Sequence, residues 1–294
     1  MNKVSIYGGL GNQMFQYAFC VALEEKGKKA RPSFSGFLYE KHHNGFNLSK
    51  AFNLKLSLSG SLLNSFLEHG QFFYKNRIGT SFFRRLVALY NKRYKVYNEK
   101  REFEFDPAVF EQQAAFFVGV WQVEAYFKDI KKKIQDSFVF NVPSDKVNAE
   151  LIKKITNCNA VSLHIRRGDY LNTRWKDSLV VIKDNTYYER ALKYMNEKIK
   201  DPQYFVFSDD IKWVQENLQV PNVTYVGHNT GANSYIDMYL MSLCKHNIIA
   251  NSSFSWWGAW LNKNEDKIVL MPEKWFNREY CEGIFPEEWI KIPL

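Results

Sequence analysis

The chain has 294 residues, of which 46% are hydrophobic and 17% aromatic. That length suggests about two domains at roughly 150 residues each, and that apolar content excludes a disordered or low-complexity protein. A formal net charge of +9 favours anionic partners such as nucleotides, nucleic acid or an acidic membrane surface.

In chain order, Val4 to Tyr7 reads as a short strand. It breaks at Gly8-Gly9-Leu10-Gly11-Asn12-Gln13, and a helix is expected from Gln13 to Lys26, with Gly27 as its stop. A strand, a glycine turn and a helix make a βα unit whose turn admits a phosphate or sugar close to the backbone. Gly9 and Gly11 match the dinucleotide fingerprint GxGxxG but Met14 occupies the third position, so the dinucleotide signature is incomplete. Residues 31–58 read as loop, including adjacent histidines at 42 and 43 without metal-ligand spacing. Residues 62–97 read as a basic, aromatic helical stretch, 116–121 as a strand, 124–135 as a helix, and 138–146 as an interdomain linker.

From Lys146 onward, strands and helices alternate. Strands are expected at Val161–Ile165, Tyr204–Ser208, Val223–Val226, Asn247–Ala250 and Lys267–Met271. Helices are expected at Lys146–Thr156, Thr186–Lys200, Ile211–Leu218, Tyr235–Lys245 and Phe254–Leu261. This pattern predicts an α/β fold with a doubly wound parallel sheet. The economical architecture is two Rossmann-like domains facing a cleft, residues 1–142 and 143–294.

Three strand ends in the second half carry polar clusters. The first is His164-Ile165-Arg166-Arg167-Gly168-Asp169. Paired arginines at the end of an apolar strand call for an anion, because a desolvated charge needs a partner, and the guanidinium fork suits phosphate. The bland alternative is a solvated Arg–Asp turn. The second is Ser208-Asp209-Asp210, which either offers a carboxylate to the N–H edge of guanine or caps a helix. The third is Ser252-Ser253-Phe254-Ser255, whose hydroxyls and helix-terminal amides suit phosphate oxygens. Together the three read as a nucleotide site.

Cys20, Cys158, Cys244 and Cys281 form no CxxC and have no metal-ligand spacing. Their scatter predicts reduced thiols in a cytoplasmic protein. No apolar run reaches the ~18 residues of a membrane span, so a membrane role is expected only as peripheral attachment through positive charge. The basic residues share no amphipathic face, which argues against a nucleic-acid binder.

The segments GGLGNQMFQYA at 8–18, GVWQVEAYF at 119–127, HIRRGDY at 164–170, FSDD at 207–210 and ANSSFSWWGAWL at 250–261 resemble those of the bacterial α-1,2-fucosyltransferases of glycosyltransferase family 11. The resemblance spans almost the whole chain. It implies a GT-B fold and an inverting transfer of L-fucose from GDP-fucose to the 2-hydroxyl of a terminal β-galactoside, on an oligosaccharide or on a glycolipid such as a lipopolysaccharide repeat. It implies no metal and no cofactor beyond the donor. It carries the diphosphate contact to Arg166, with His164 and Arg167 beside it, and the guanine carboxylate to Asp209 or Asp210 next to Ser208. It carries phosphate contacts to Ser252, Ser253, Phe254 and Ser255. Asn12 would face the fucose or the acceptor, within a turn formed by Gly9, Gly11 and Gln13. Asp169 is the obvious carboxylate for a general base, or else an orienter of the arginines. The alternatives are a glycosyltransferase using another nucleotide sugar and a non-catalytic sugar or nucleotide-binding module. Oligomeric state is left open.

Overall fold

The structure, a computed structural model, describes residues 1–34, 45–54, 56, 94–171, 176–277 and 281–294. The chain divides into two compact units, Met1–Val139 and Phe140–Leu294. The division falls inside the stretch that reads as a linker. The histidine pair at 42–43 and the basic stretch at 62–93 lie outside the described residues.

In the first unit, strands Asn2–Ser5 (β1), Ala30–Ser33 (β2), Lys95–Asn98 (β3) and Ala115–Val118 (β4) form one sheet in the order β2-β1-β4-β3. Every pairing in it is parallel. The helix Leu10–Glu25 (α1) follows β1 and starts three residues earlier than its apolar periodicity suggests, because Gly8 makes the turn at φ 78° and Gly9 serves as N-cap. Two strands correct the sequence reading. β2 contains Pro32, which breaks a strand pattern by eye yet is tolerated here because β2 is an edge strand. β3 is also at an edge, so it forms through pairing with β4 rather than through a periodicity of its own. The helix expected at 124–135 is instead two 3₁₀ turns, Glu124–Tyr126 and Lys128–Ile130, followed by the short helix Lys131–Ser137 (α2). The backbone break at Phe127 lets two consecutive rings enter the core: Tyr126 against Phe19 and Trp121, Phe127 against Phe15.

Glu99, just beyond β3, closes this sheet edge. Its carboxylate accepts from the amides of Val120 at 2.7 Å and Trp121 at 3.2 Å. These bonds hold Trp121 in the left-handed region at φ 54°, where its ring stacks on Phe19 at 4.3 Å. Gly119 makes this approach feasible, since a Cβ there would lie 2.5 Å from Glu99 Cβ. Burial pushes the Glu99 carboxyl up to about 7.

The second unit carries strands Asn159–Ile165 (β5), Pro202–Ser208 (β6), Val223–Val226 (β7), His246–Ile248 (β8), Val269–Pro272 (β9) and Ile290–Ile292 (β10), in the order β10-β9-β8-β5-β6-β7. All pairings are again parallel. The helices used below are Lys146–Thr156 (α3), Gly168–Leu171 (α4), Thr186–Lys198 (α5), Ile211–Asn217 (α6), Tyr235–Leu243 (α7) and Ser253–Trp260 (α8). They cover both faces. Val161, Leu163 and Ile165 pack with Tyr187, Leu192 and Met195 of α5 and Val214 of α6. Ala160, Phe205 and Phe207 pack with Ile155 of α3 and Ile236, Leu240 and Met241 of α7. The sheet is therefore doubly wound. This explains why the alternation in β5 does not mark a solvent face: Ser162 and His164 are as buried as their apolar neighbours. Ser162 is satisfied by the Asn247 side-chain amide at 2.7 Å. Trp256, Trp257 and Trp260 of α8 are fully buried. Among the described residues of this unit, β10 and the short helix α4, both too short to show periodicity, have no counterpart in the sequence reading.

Gly119→Ala is expected to lower the unfolding free energy by about 1–3 kcal/mol through overpacking against Glu99, measured as a fall in thermal midpoint. An unchanged midpoint would mean that Glu99 is not held against this turn.

Candidate active site

The order of the second sheet fixes where a ligand can enter. From β5 the chain moves one way to β6 and β7, then returns to the other side for β8, β9 and β10. The reversal lies between β5 and β8, and crevices outside the carboxyl ends at such a point are the usual ligand sites of open α/β sheets. Two of the three polar clusters flank it: His164 to Asp169 run from the end of β5 into the turn after it, and Asn251 to Ser255 follow β8. The third, Ser208 to Asp210, follows the neighbouring β6.

The clusters are joined by direct contacts. Ile165 is in register with Ser208, so the residues that follow, Arg166 and Asp209, meet across adjacent strand ends. Asp209 Oδ2 lies 3.2 Å from Arg166 Nε, and Asp209 Oδ1 accepts from the Arg167 amide at 2.9 Å. The Arg166 guanidinium sits over the Tyr170 ring at 5.8 Å. The Tyr170 hydroxyl donates to the Asn251 carbonyl at 3.0 Å, tying α4 to the turn after β8. Arg167 stacks its guanidinium on Trp213 at 3.5 Å. Asp210, rather than Ser208 or Asp209, is the N-cap of α6: its Oδ1 accepts from the Trp213 amide at 3.1 Å, and its own amide donates to Ser208 Oγ at 3.0 Å.

Ser252 occupies the N-cap position of α8 but makes no capping hydrogen bond with its side chain. The first amides of a helix have no partner within it, and their partial positive charge suits an anion. Ser255 Oγ donates to the Ser252 carbonyl at 3.3 Å. Phe254 lies against the His164 ring at 5.9 Å.

Two buried polar atoms at the end of β5, His164 Nδ1 and Arg167 Nε, make no hydrogen bond within the protein. Buried polar atoms are nearly always paired, so such orphans mark a place that a ligand or water completes. Burial, reinforced by the nearby Arg166 charge, lowers His164 to about 3. The imidazole is therefore neutral at physiological pH and adds no charge to the arginine pair. The side chain of Asp169 lies outside the described residues.

In the first unit, the glycine turn leads into α1 beside the carboxyl ends of β1 and β4, where that sheet order also reverses. Asn12 Oδ1 accepts from the Gln122 amide at 2.7 Å. Gly9 is the N-cap of α1 and Gly11 lies buried in its first turn. Gln13 differs from expectation. Its amide donates to the carbonyls of Gly8 at 2.8 Å and Gly45 at 2.9 Å, and its oxygen accepts from the Asn47 amide at 3.0 Å. With both donors engaged and no exposed surface, Gln13 anchors the 45–47 segment.

Tyr170, Trp213 and Gln122 escaped the sequence reading as site residues. Tyr170 and Gln122 lie inside the segments that carry the family resemblance, so a signal existed. Trp213 looked like one more helix-face aromatic, and its stacking on Arg167 depends on tertiary placement. Among the described residues, no group of three or more His, Cys, Asp or Glu side chains could hold a metal ion, and none of their helices is long and apolar enough to cross a membrane.

The family described as Glycosyl transferase family 11 matches residues 1–293. The chain is 33% identical over 296 residues to an alpha-1,2-colitosyltransferase of Escherichia coli, covering 97% of this chain and 96% of that protein. It is 40% identical over 161 residues to the O-antigen biosynthesis glycosyltransferase WbnK of the same organism, covering 52% of this chain and 53% of the relative. Over 142 residues it is 31% identical to galactoside alpha-(1,2)-fucosyltransferase 1 of Mus musculus, covering 45% of this chain and 37% of the relative.

Because the native His164 resists protonation while an unfolded histidine titrates near 6.5, the unfolded state binds the extra proton and stability is lost as pH falls below that value. Between pH 7 and pH 5, wild type is expected to lose about 2 kcal/mol relative to His164→Gln, measured by denaturant unfolding of both at each pH. Parallel curves would show that His164 is not held neutral.

Proposed function

We propose that this chain, which belongs to glycosyl transferase family 11 and is a glycosyltransferase, moves L-fucose from GDP-fucose to the 2-hydroxyl of a terminal β-galactoside. The observation that carries the reading is Arg166 at the switch point of the second sheet, held by Asp209 and Tyr170. The anomeric C1–O bond breaks and its electron pair moves onto the diphosphate. The acceptor oxygen forms the new bond from the opposite face, inverting the centre, and gives its proton to a base. The sugar passes through an oxocarbenium-like state. Negative charge grows on the departing phosphate, so a preorganised guanidinium there stabilises the transition state more than the ground state.

Around Arg166, the amides at the start of α8 with Ser252, Ser253 and Ser255 would take other phosphate oxygens. His164 and Arg167 would turn their orphaned nitrogens to the donor. Of the two aspartates, Asp210 is better suited to the guanine edge, because Asp209 meets the arginine segment through both oxygens whereas Asp210 caps α6 through Oδ1. In the first unit, Asn12 would meet the sugar or acceptor, its amide oriented by Gln122. Asp169 is the candidate base by its place in the motif. The acceptor would be a galactose-terminated oligosaccharide or glycolipid, in keeping with the galactoside and O-antigen names of two relatives. The reaction would run without a metal, in the cytoplasm or at the inner face of a bacterial membrane.

A second donor is favoured by one observation: the relative matched over 97% of this chain is named a colitosyltransferase. That reading keeps the nucleotide-sugar site and changes only the deoxyhexose.

Purified protein with GDP-fucose, lactose and EDTA is expected to release GDP and yield a fucosylated product by mass. Transfer from GDP-colitose but not GDP-fucose would move the assignment to the second donor, and a strict metal requirement would overturn the metal-free reaction. Arg166→Lys replaces a fork by a point charge and is expected to cut turnover by about a hundredfold. Near-wild-type turnover would remove Arg166 from the reaction.

A further inference from the structure

We infer that Asp209 is a positioning residue for Arg166, selecting the guanidinium edge that faces the donor, and that it does not hold the base. The inference rests on the proposed role of Arg166 as the diphosphate contact.

The geometry is specific. Asp209 engages Arg166 from the Nε side at 3.2 Å, so the carboxylate orients the guanidinium through its side edge. The other carboxylate oxygen is fixed by the Arg167 amide at 2.9 Å, so Asp209 cannot swing without losing a backbone bond. Gly168 keeps the space clear: a Cβ there would lie 3.2 Å from Asp209 Oδ2, tighter than most real contacts, and would press on the oxygen that meets Arg166. The Tyr170 ring lies under the guanidinium at 5.8 Å and is itself pinned to Asn251. An arginine side chain is otherwise free to sample many rotamers, and fixing it before the ligand arrives removes that cost from binding.

The same facts argue against a base contact. Reading the paired donors of a guanine edge takes two acceptor positions in one plane. Both Asp209 oxygens already meet the arginine segment, so a base contact would have to share their remaining lone pairs with it. Asp210, which caps α6 through Oδ1, lies outside this clamp.

The test is a double-mutant cycle read by calorimetric titration of two nucleotides: GDP, and IDP, which lacks the exocyclic amino group. Asp209→Asn keeps an acceptor for the Arg167 amide while removing the charge on Arg166. It is expected to weaken GDP and IDP equally, by five- to tenfold, leaving their affinity ratio unchanged. In an Arg166→Gln background the same substitution is expected to change GDP affinity by less than twofold. Asp209→Glu, whose longer arm displaces the contact, runs the same cycle as a second variant should Asp209→Asn not fold. Equal losses in both backgrounds would show that Asp209 acts independently of Arg166 and overturn the inference. A narrowed GDP-to-IDP ratio would overturn it in favour of a base contact. If wild type binds neither nucleotide, the donor reading falls and this inference with it.

Discussion

A guanidinium cannot be left at the end of a sheet that is covered on both faces unless something compensates its charge and holds its shape. In this protein the compensation comes from the neighbouring strand. The register that pairs Ile165 with Ser208 brings Asp209 to Arg166, and the same carboxylate ties down the Arg167 amide. Much of the second unit follows from that contact. Gly168 is small where Asp209 needs room. Tyr170 lies under Arg166 and reaches across the switch point to Asn251, linking the arginine segment to the serine turn. Asn251 in turn donates its side-chain amide to the carbonyls of Leu179 and Trp275, and the indoles of α8 fix that turn to the core. The Arg166 guanidinium is thus held by contacts from β6 and α4, the preorganisation that favours a site meeting developing negative charge.

The first unit answers the same problem with amides. Among the described residues, none at its switch point is an arginine. Gln13, Gln16 and Gln122 join the glycine turn to the ends of β1 and β4: Gln16 accepts from the Tyr7 amide and donates to the Gly119 carbonyl. Glutamine offers donor and acceptor together at no cost in buried charge.

The second unit was largely legible in the sequence, because a doubly wound sheet writes itself as alternating apolar strands and amphipathic helices. α3 begins at Lys146 and ends at Thr156 as its pattern and its Asp145 cap dictate. The first unit was harder to read. β2 and β3 are short edge strands with Pro32 and Lys95 in them, and they form through pairing. Adjacent Tyr126 and Phe127 mimic a helix face while serving two core directions. For the site, residue types and strand ends were visible, but the division of labour was not. Asp209 and Asp210 are neighbours with the same chemistry, and only their tertiary partners separate an arginine clamp from a helix cap. Likewise Gln13 resembles a ligand-facing residue until Gly45 and Asn47 are seen to occupy it.

The central claim is that the donor diphosphate sits at the β5–β8 switch point against Arg166. Its most direct test is a structure of the protein crystallised with GDP. The account predicts the β-phosphate within hydrogen-bonding distance of the terminal nitrogens of Arg166 and of the amides that open α8. A nucleotide bound instead at the Gly8–Asn12 turn of the first unit, with Arg166 untouched, would contradict it.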